Sequence, residues 1–89
     1  MNFRGFSVYR CSDRVLKSKG LEKVAIDSIN WFVFYKTEEA NWIKFYPFSE
    51  NLGGGIPYII NIGSSDFKPW LDENKGFVNS VSALIDTKG

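Results

Sequence analysis

The sequence predicts a single α+β domain: a small antiparallel meander of about three or four strands with helices packed on one face. Two observations support this fold class. Stretches of β-branched and aromatic residues alternate with polar turn segments in the middle of the chain, and apolar residues recur at helical spacing towards both ends. The chain has 89 residues, 44% of them hydrophobic and 17% aromatic. That is enough for one hydrophobic core, so we expect one domain over residues 1–89.

The N-terminal part predicts a short strand followed by a helix. Apolar residues on both sides of Gly5 indicate a strand or an extended lead-in over residues 3–9. Ser12 and Asp13 are good N-cap residues, and the apolar residues that follow them recur at near-helical spacing as far as Ala25. We expect Gly20 to interrupt this helix or to divide it in two.

The middle of the chain predicts a hairpin and a third strand. Residues 29–35 (INWFVFY) and 42–48 (WIKFYPF) are rich in aromatic and β-branched residues, and the short polar segment between them favours an antiparallel hairpin. Residues 57–62 predict the third strand. Because this strand is almost continuously apolar, we expect it to be central and covered on both faces.

Two further elements are predicted after the third strand. Pro69 is expected to open a short helical turn. The apolar residues of segment 77–85 recur at helical spacing and predict a helix, with a strand as the alternative because Ser80 and Ser82 weaken the pattern.

The composition argues against catalysis. The chain contains no histidine and a single cysteine, Cys11, so it lacks the usual general base near neutral pH and the ligands of a structural zinc site. Adjacent carboxylate pairs occur at Glu38–Glu39 and Asp72–Glu73, but both lie in polar connections, where solvated charge is the ordinary explanation. We therefore expect a protein that is not an enzyme and needs no metal and no cofactor. Cys11 is expected to pack as a small apolar residue.

Targeting signals are not evident in the sequence. The first residues lack the apolar region of a signal peptide, and no apolar run approaches the roughly 18 residues that span a bilayer. Together with the single cysteine, these observations predict a cytoplasmic location and no membrane partner.

Charge is distributed unevenly along the chain, although the net charge is only +1. Residues 1–23 hold six basic and two acidic residues, whereas residues 24–89 hold five lysines and eight carboxylates. This asymmetry has two interpretations, an ordinary solvated surface or an acidic surface presented to a basic partner. The small net charge makes nucleic acid an unlikely partner.

An ordered motif runs from the hairpin into the third strand, with the pattern W-x3-Y, six residues, then W-x3-YP-x-SE-x2-GGG-x-P. The motif resembles that of immunity protein family 27, whose members accompany bacterial polymorphic toxins. The likeness covers about a third of the chain, residues 29–62, and Leu52 stands where the family pattern has a histidine. The residues that carry the motif, Glu50 apart, are expected to be structural: Trp31, Tyr35, Trp42, Tyr46, Pro47, Ser49, Gly53, Gly54, Gly55 and Pro57.

The resemblance implies a cytoplasmic bacterial toxin inhibitor, of the kind that protects against contact-dependent growth inhibition or serves in a toxin–antitoxin pair. Its partner would be the cognate toxin domain, and basic substrate clefts are typical of toxins that are nucleases. From charge and expected exposure, the residues that we expect to meet such a cleft are Glu38, Glu39, Glu50, Asn51 and Asp66. The alternative function is a small single-stranded nucleic-acid-binding module, in which aromatic residues of the sheet stack on bases.

The three consecutive glycines have three candidate roles: a phosphate cradle, a structural crossover and a recognition loop. A phosphate loop leads from a strand into a helix with a basic residue nearby, whereas here Ile56 and Pro57 follow the glycines and the nearest upstream charge is Glu50. We interpret the loop chiefly as a structural crossover that permits positive φ and close backbone approach, with its outer edge available for recognition.

Overall fold

The computed structural model describes residues 1–48 and 55–88, except for the side chains of residues 87 and 88. Five residues of the sequence predictions lie outside the described residues: Ser49, Glu50, Asn51, Gly53 and Gly54. In the part of the chain that is described, no helix is both long enough and apolar enough to cross a membrane.

The described residues form six strands and three helices, so the α+β class is confirmed and the predicted strand number is too low. Their bounds are β1 Asn2–Phe3, β2 Phe6–Arg10, α1 Asp13–Ser18, β3 Glu22–Asp27, β4 Phe32–Lys36, β5 Asn41–Phe45, β6 Tyr58–Gly63, α2 Phe67–Glu73 and α3 Phe77–Lys88. The strands make one sheet in the order β1-β2-β6-β5-β4-β3, and all neighbours are antiparallel.

The predicted first helix is too long. Ser12 caps it as expected, since its hydroxyl oxygen accepts a hydrogen bond from the Val15 backbone N–H at 3.2 Å. The helix ends at Ser18, and Gly20 takes a φ of +67°. Residues 22–27, including Ala25, form the edge strand β3 instead, because pairing with β4 outweighs a spacing that is helical only by coincidence.

The predicted hairpin is confirmed as β4 and β5, in which Tyr35 lies directly opposite Trp42. The second strand ends at Phe45, earlier than the predicted residue 48, and Pro47 follows it in a turn because proline has no N–H to give to the ladder. The third predicted strand is β6. It lies between β2 and β5, a central position, as expected.

Helices cover both faces of the sheet, so the prediction of helices on one face is wrong. Helices α2 and α3 pack on one face, where the core residues include Ile43, Ile60, Trp70 and Phe77. Successive residues of a strand point to opposite faces, so Ile59 belongs to a second core. That second core consists of Cys11, Tyr35, Trp42 and Ile59, with Val15 and Leu16 of α1 packed against it. The continuous apolar run of β6 needs this second layer, which the short helix α1 supplies.

The C-terminal segment forms helix α3, so the helical prediction is confirmed over the strand alternative. Its first residue, Phe77, makes ring contacts with Phe32, Phe45 and Trp70. These contacts anchor the start of α3 over the centre of the sheet.

Candidate functional site: two ends of the sheet

The β4–β5 turn presents two adjacent carboxylates on a tightly bonded support. The Thr37 N–H donates to the Ala40 carbonyl oxygen at 2.8 Å, and the Ala40 N–H donates to the Thr37 hydroxyl oxygen at 3.1 Å. These bonds close the turn, and both central residues, Glu38 and Glu39, are exposed. The turn therefore fixes the backbone of the two glutamates while their side chains remain in solvent.

Asp66 lies at the same end of the sheet as the β4–β5 turn. The Asn41 side-chain amide donates to the Ser65 carbonyl oxygen at 2.9 Å, and Asn41 is paired with Gly63 at the end of β6. Asp66 follows Ser65 as the N-cap residue of α2, but its side chain makes no capping hydrogen bond and is exposed. Its carboxylate is therefore not held by the helix that it precedes.

Glu22 adds a fourth carboxylate to this end, since it begins β3 and pairs with Lys36, the last residue of β4. We call Glu22, Glu38, Glu39 and Asp66 the acidic end. Glu38, Glu39 and Asp66 were predicted from the sequence as partner-binding residues, and the fold brings these three to one end. Among the described residues, none of these three side chains has a hydrogen-bonding or ion-pair partner. Glu22 was missed because a helix was predicted there.

The opposite end of the hairpin carries exposed aromatic and apolar side chains, roughly 17 Å away along the five residues of β4. Trp31 precedes β4, has a positive φ of 61°, and is 55% exposed. Its ring lies edge-on to Tyr46, with the centroids 5.9 Å apart. Ile29 is 89% exposed in the same β3–β4 turn. We call Ile29, Trp31 and Tyr46 the aromatic end.

Asp27 holds the turn that presents the aromatic end. One of its carboxylate oxygens accepts hydrogen bonds from the Ile29 and Asn30 backbone N–H groups, at 3.1 and 3.3 Å. The other accepts from the Asn30 side-chain amide at 2.9 Å. The Asn30 side-chain bond is the main reason why the pKa of Asp27 is below its ordinary value. The turn is thus organised by local hydrogen bonds although Ile29 and Trp31 are in solvent.

The four aromatic residues of the sequence motif divide into two pairs. Tyr35 and Trp42 are buried in the second core, where burial raises the pKa of the Tyr35 phenol. Trp31 and Tyr46 are in contact with one another at the aromatic end. The sequence predicted a structural role for all four. The exposure of Ile29 and Trp31 was missed, and the only sequence signal for it is that Ile29 lies within the polar stretch DSIN, residues 27–30, and that Trp31 directly follows this stretch.

Gly55 and Pro57 lie in the segment that leads into β6. Gly55 has a φ of +72°, and a Cβ atom added there would lie 2.8 Å from the Phe48 carbonyl oxygen. The Pro57 carbonyl oxygen accepts a hydrogen bond from the Cys11 N–H at 2.9 Å, which joins the start of β6 to the end of β2. The described part of the crossover therefore requires glycine for both conformation and space.

The described residues also form a groove of about 590 Å³ between the sheet and α2–α3. Phe32, Phe34 and Phe67 contribute aromatic surface to it, and Asp27 and Lys68 also line it. No three histidine, cysteine, aspartate or glutamate side chains in the described ranges lie close enough together to hold a metal ion.

A comparison with known protein families, with curated proteins and with solved structures finds no match for this chain. The resemblance to immunity protein family 27 thus stays a prediction.

Proposed function

We propose that the chain is a bacterial immunity protein that binds a cognate toxin domain and neutralises it by occluding its active site. The observation that carries the proposal is the pair of exposed carboxylates, Glu38 and Glu39, on a hydrogen-bonded hairpin turn with Asp66 at the same end. Exposed carboxylates on a rigid support accelerate encounter with a basic cleft and accept charge-assisted hydrogen bonds there. A nuclease domain is the toxin class that such a surface suits best.

The test is a binding titration against the C-terminal domain encoded immediately upstream of this chain, combined with rescue of cells that express that domain. We expect replacement of Glu38 and Glu39 by alanine to weaken binding by more than about tenfold, because two charge-assisted contacts are lost. The matched control replaces Asp72 and Glu73, an adjacent acidic pair on α2 that is also exposed, by alanine. Equal affinity for the two double variants, or no binding and no rescue by the native chain, would refute the proposal.

A single-stranded nucleic-acid-binding module is the second candidate, and the aromatic end favours it. Trp31 is more than half exposed, and the Lys44 ammonium nitrogen lies 5.6 Å from the centre of the Tyr46 ring. An aromatic platform beside a cation is suited to stacking a base and contacting its phosphate. A salt titration separates the two functions: affinity for an RNA oligonucleotide falls steeply with salt, whereas a toxin inhibitor loses association rate and remains tightly bound.

A further inference from the structure

Exposed apolar side chains are concentrated in one segment of the chain. Among the described residues, seven large apolar side chains are exposed, and four of them lie between residues 24 and 31, in β3 and the β3–β4 turn; they are Val24, Ile26, Ile29 and Trp31. Single exposed apolar residues are normal on a protein surface, whereas a contiguous group of them is typical of an interaction site. This segment is therefore the strongest candidate for a binding surface in the described part of the chain.

The sheet face that carries α1 is only partly covered, because α1 is short. The helix has six residues and is about 9 Å long, whereas the six strands of the sheet span roughly 24 Å. The chain enters α1 where Arg10 of β2 pairs with Tyr58 of β6, and it reaches β3 where Glu22 pairs with Lys36. The connection thus crosses the face diagonally and leaves uncovered the corner that β3, β4 and β5 form at the aromatic end.

A row of three side chains crosses this uncovered corner. Ile26 pairs with Val33, and Val33 pairs with Lys44; directly opposite residues of antiparallel strands lie on the same face. Val33 packs against the second core, so the row lies on the face that carries α1, yet Ile26 is 60% exposed. The Lys44 ammonium nitrogen lies 5.6 Å from the centre of the Tyr46 ring, and that ring contacts Trp31. We call Ile26, Trp31, Val33, Lys44 and Tyr46 the open corner.

Lys44 gives the open corner a cation among apolar neighbours. The residue is half-buried, and it pairs with Val33 of β4 on one side and Ile59 of β6 on the other. Within the described ranges, its ammonium group has no hydrogen-bond or ion-pair partner, and it lies over the Tyr46 ring. An ammonium group that is partly removed from water attracts an incoming anion more strongly than a fully exposed one, because the effective dielectric constant is lower there.

The support of the open corner is fixed before a partner arrives. Trp31 keeps a positive φ of 61°, which is rare for a bulky side chain and persists only where the surroundings hold it. The hydrogen bonds that Asp27 accepts close the turn that precedes Trp31. A strained tryptophan that is more than half exposed adds little to either core, so its arrangement points to a role in binding.

The side chains of this region distinguish among three occupants. Single-stranded nucleic acid stacks on aromatic rings and contacts cations, but Ile26, Ile29 and Val33 offer it neither. A second copy of this chain, docked corner to corner about a two-fold axis, would bring two Lys44 ammonium groups together. A different protein that presents an apolar side chain beside a carboxylate complements both the aliphatic surface and Lys44.

We infer that the open corner binds an apolar side chain of the toxin domain that is flanked by a carboxylate, and that Lys44 binds this carboxylate. The inference rests on the proposed function, because it adds a second contact to the toxin interface. The corner lies about 17 Å from the acidic end along β4. A standard interface covers about 800 Å² of each partner, a patch roughly 30 Å across, so one toxin domain reaches both surfaces.

The first test needs no toxin. It uses N-acetyl-tryptophan, which has a free carboxylate, and N-acetyl-tryptophan amide as the uncharged match. By NMR, N-acetyl-tryptophan should give saturable shifts of the Trp31 indole N–H and of the amides of residues 26, 33 and 44. The amide probe should bind there at least about threefold more weakly, because it lacks the charge-assisted contact. Lys44→Gln should abolish this difference between the probes, whereas Lys36→Gln, at an exposed lysine of β4, should preserve it.

The second test measures affinity for the toxin domain encoded upstream. Lys44→Gln and Trp31→Asn should each weaken binding at least about fivefold, because one removes the cation and the other removes the exposed aromatic ring. Lys36→Gln should leave the affinity unchanged. Lys44 and Trp31 belong to neither buried core, so both variants should remain folded, and urea unfolding checks this.

The outcomes separate this inference from the proposed function. Absence of saturable shifts at the corner, equal effects of Lys44→Gln and Lys36→Gln on the probes, or displacement of the probe by an oligonucleotide would overturn the inference. A concentration-dependent dimer that Trp31→Asn dissociates would assign the corner to a second copy and would also overturn it. If the toxin domain binds the native chain and all three variants equally, the inference fails and the proposed function stands. If the probe binds at the corner while the native chain neither binds the toxin domain nor rescues cells, the immunity function fails and the chemistry of the corner stands.

Discussion

Gly55→Ala tests whether the glycine run is a structural crossover. Gly55 combines a φ of +72° with a close approach, since a new Cβ would lie 2.8 Å from the Phe48 carbonyl oxygen and 3.1 Å from the Phe48 Cβ. Alanine in the left-handed region costs about 1–2 kcal/mol. The new Cβ would clash with backbone atoms of Phe48 as well as with its Cβ atom. The backbone at residue 48 or at residue 55 must therefore also shift, at a further cost of about 1–3 kcal/mol.

Gly20→Ala is the matched control for this change. Gly20 has a similar φ of +67°, but a Cβ there meets no atom within 4 Å. The Gly20→Ala variant should therefore lose only the free energy that alanine costs in the left-handed region, about 1–2 kcal/mol. The difference between the two variants isolates the close approach of Gly55 to Phe48.

The free energies of unfolding are measured by equilibrium denaturation in urea, with coincident fluorescence and circular-dichroism transitions as the check of two-state behaviour. We expect Gly55→Ala to be less stable than Gly20→Ala by about 1–3 kcal/mol. For a domain of this size, each kcal/mol lowers the thermal midpoint by roughly 4–8 °C. Equal losses for the two variants would refute the close-approach argument and leave only a requirement for positive φ.

Three further predictions concern single side chains. Trp31→Asn should leave the unfolding midpoint nearly unchanged, because relief of the positive φ offsets the lost contact with Tyr46, and a marked loss of stability would contradict this. Burial raises the pKa of the Cys11 thiol, so Ellman's reagent should react slowly with native protein and rapidly in urea; fast native reaction would disprove the burial. Asn30→Ala removes the main cause of the lowered Asp27 pKa. The variant should have a lower free energy of unfolding than the native chain, by its largest amount above about pH 4. This difference should shrink as the pH falls through the folded-state pKa of Asp27, and a difference that does not depend on pH would contradict the argument.

Much of the sheet could be predicted from the sequence because its central strands are strongly patterned. The hairpin and β6 were recognised from dense aromatic and β-branched residues, which the two cores bury. The edge strand β3 was missed because five of its six residues are exposed, so no buried face marks its period. Val24 and Ile26 had the propensity for a strand, but propensity alone did not outweigh the apparent helical spacing.

The second helical layer was implied by an observation already available in the sequence. A strand as continuously apolar as β6 needs cover on both faces, which is inconsistent with helices on only one. The N-terminal helix was recognised, but its position across the sheet depends on the path from β2 at one side to β3 at the far edge. Such a path depends on the topology of the whole sheet, so the local spacing of apolar residues does not predict it.

The sequence identified the charged residues of the candidate site but did not show which of them lie close together in the fold. Glu38 and Glu39 are adjacent in the chain, so their proximity was evident. Asp66 joins them through pairing of β5 with β6 and the Asn41–Ser65 hydrogen bond, which spans 24 residues. The sequence also could not predict the positive φ of Trp31, because tryptophan has no preference for the left-handed region and is held there by its surroundings.

The β4–β5 turn, which carries Glu38 and Glu39, lies next to the second core. Its position determines whether substitutions in the turn affect folding or only binding. Tyr35 and Trp42 face one another across the hairpin, are each 7% exposed, and lie within a few residues of Glu38 and Glu39. The buried pair fixes the end of β4 and the start of β5, while the two glutamates take no part in the core. Their replacement should therefore leave folding intact, so a loss of affinity measures recognition. A turn supported in this way costs little ordering entropy on binding, because its backbone is already fixed before the partner arrives.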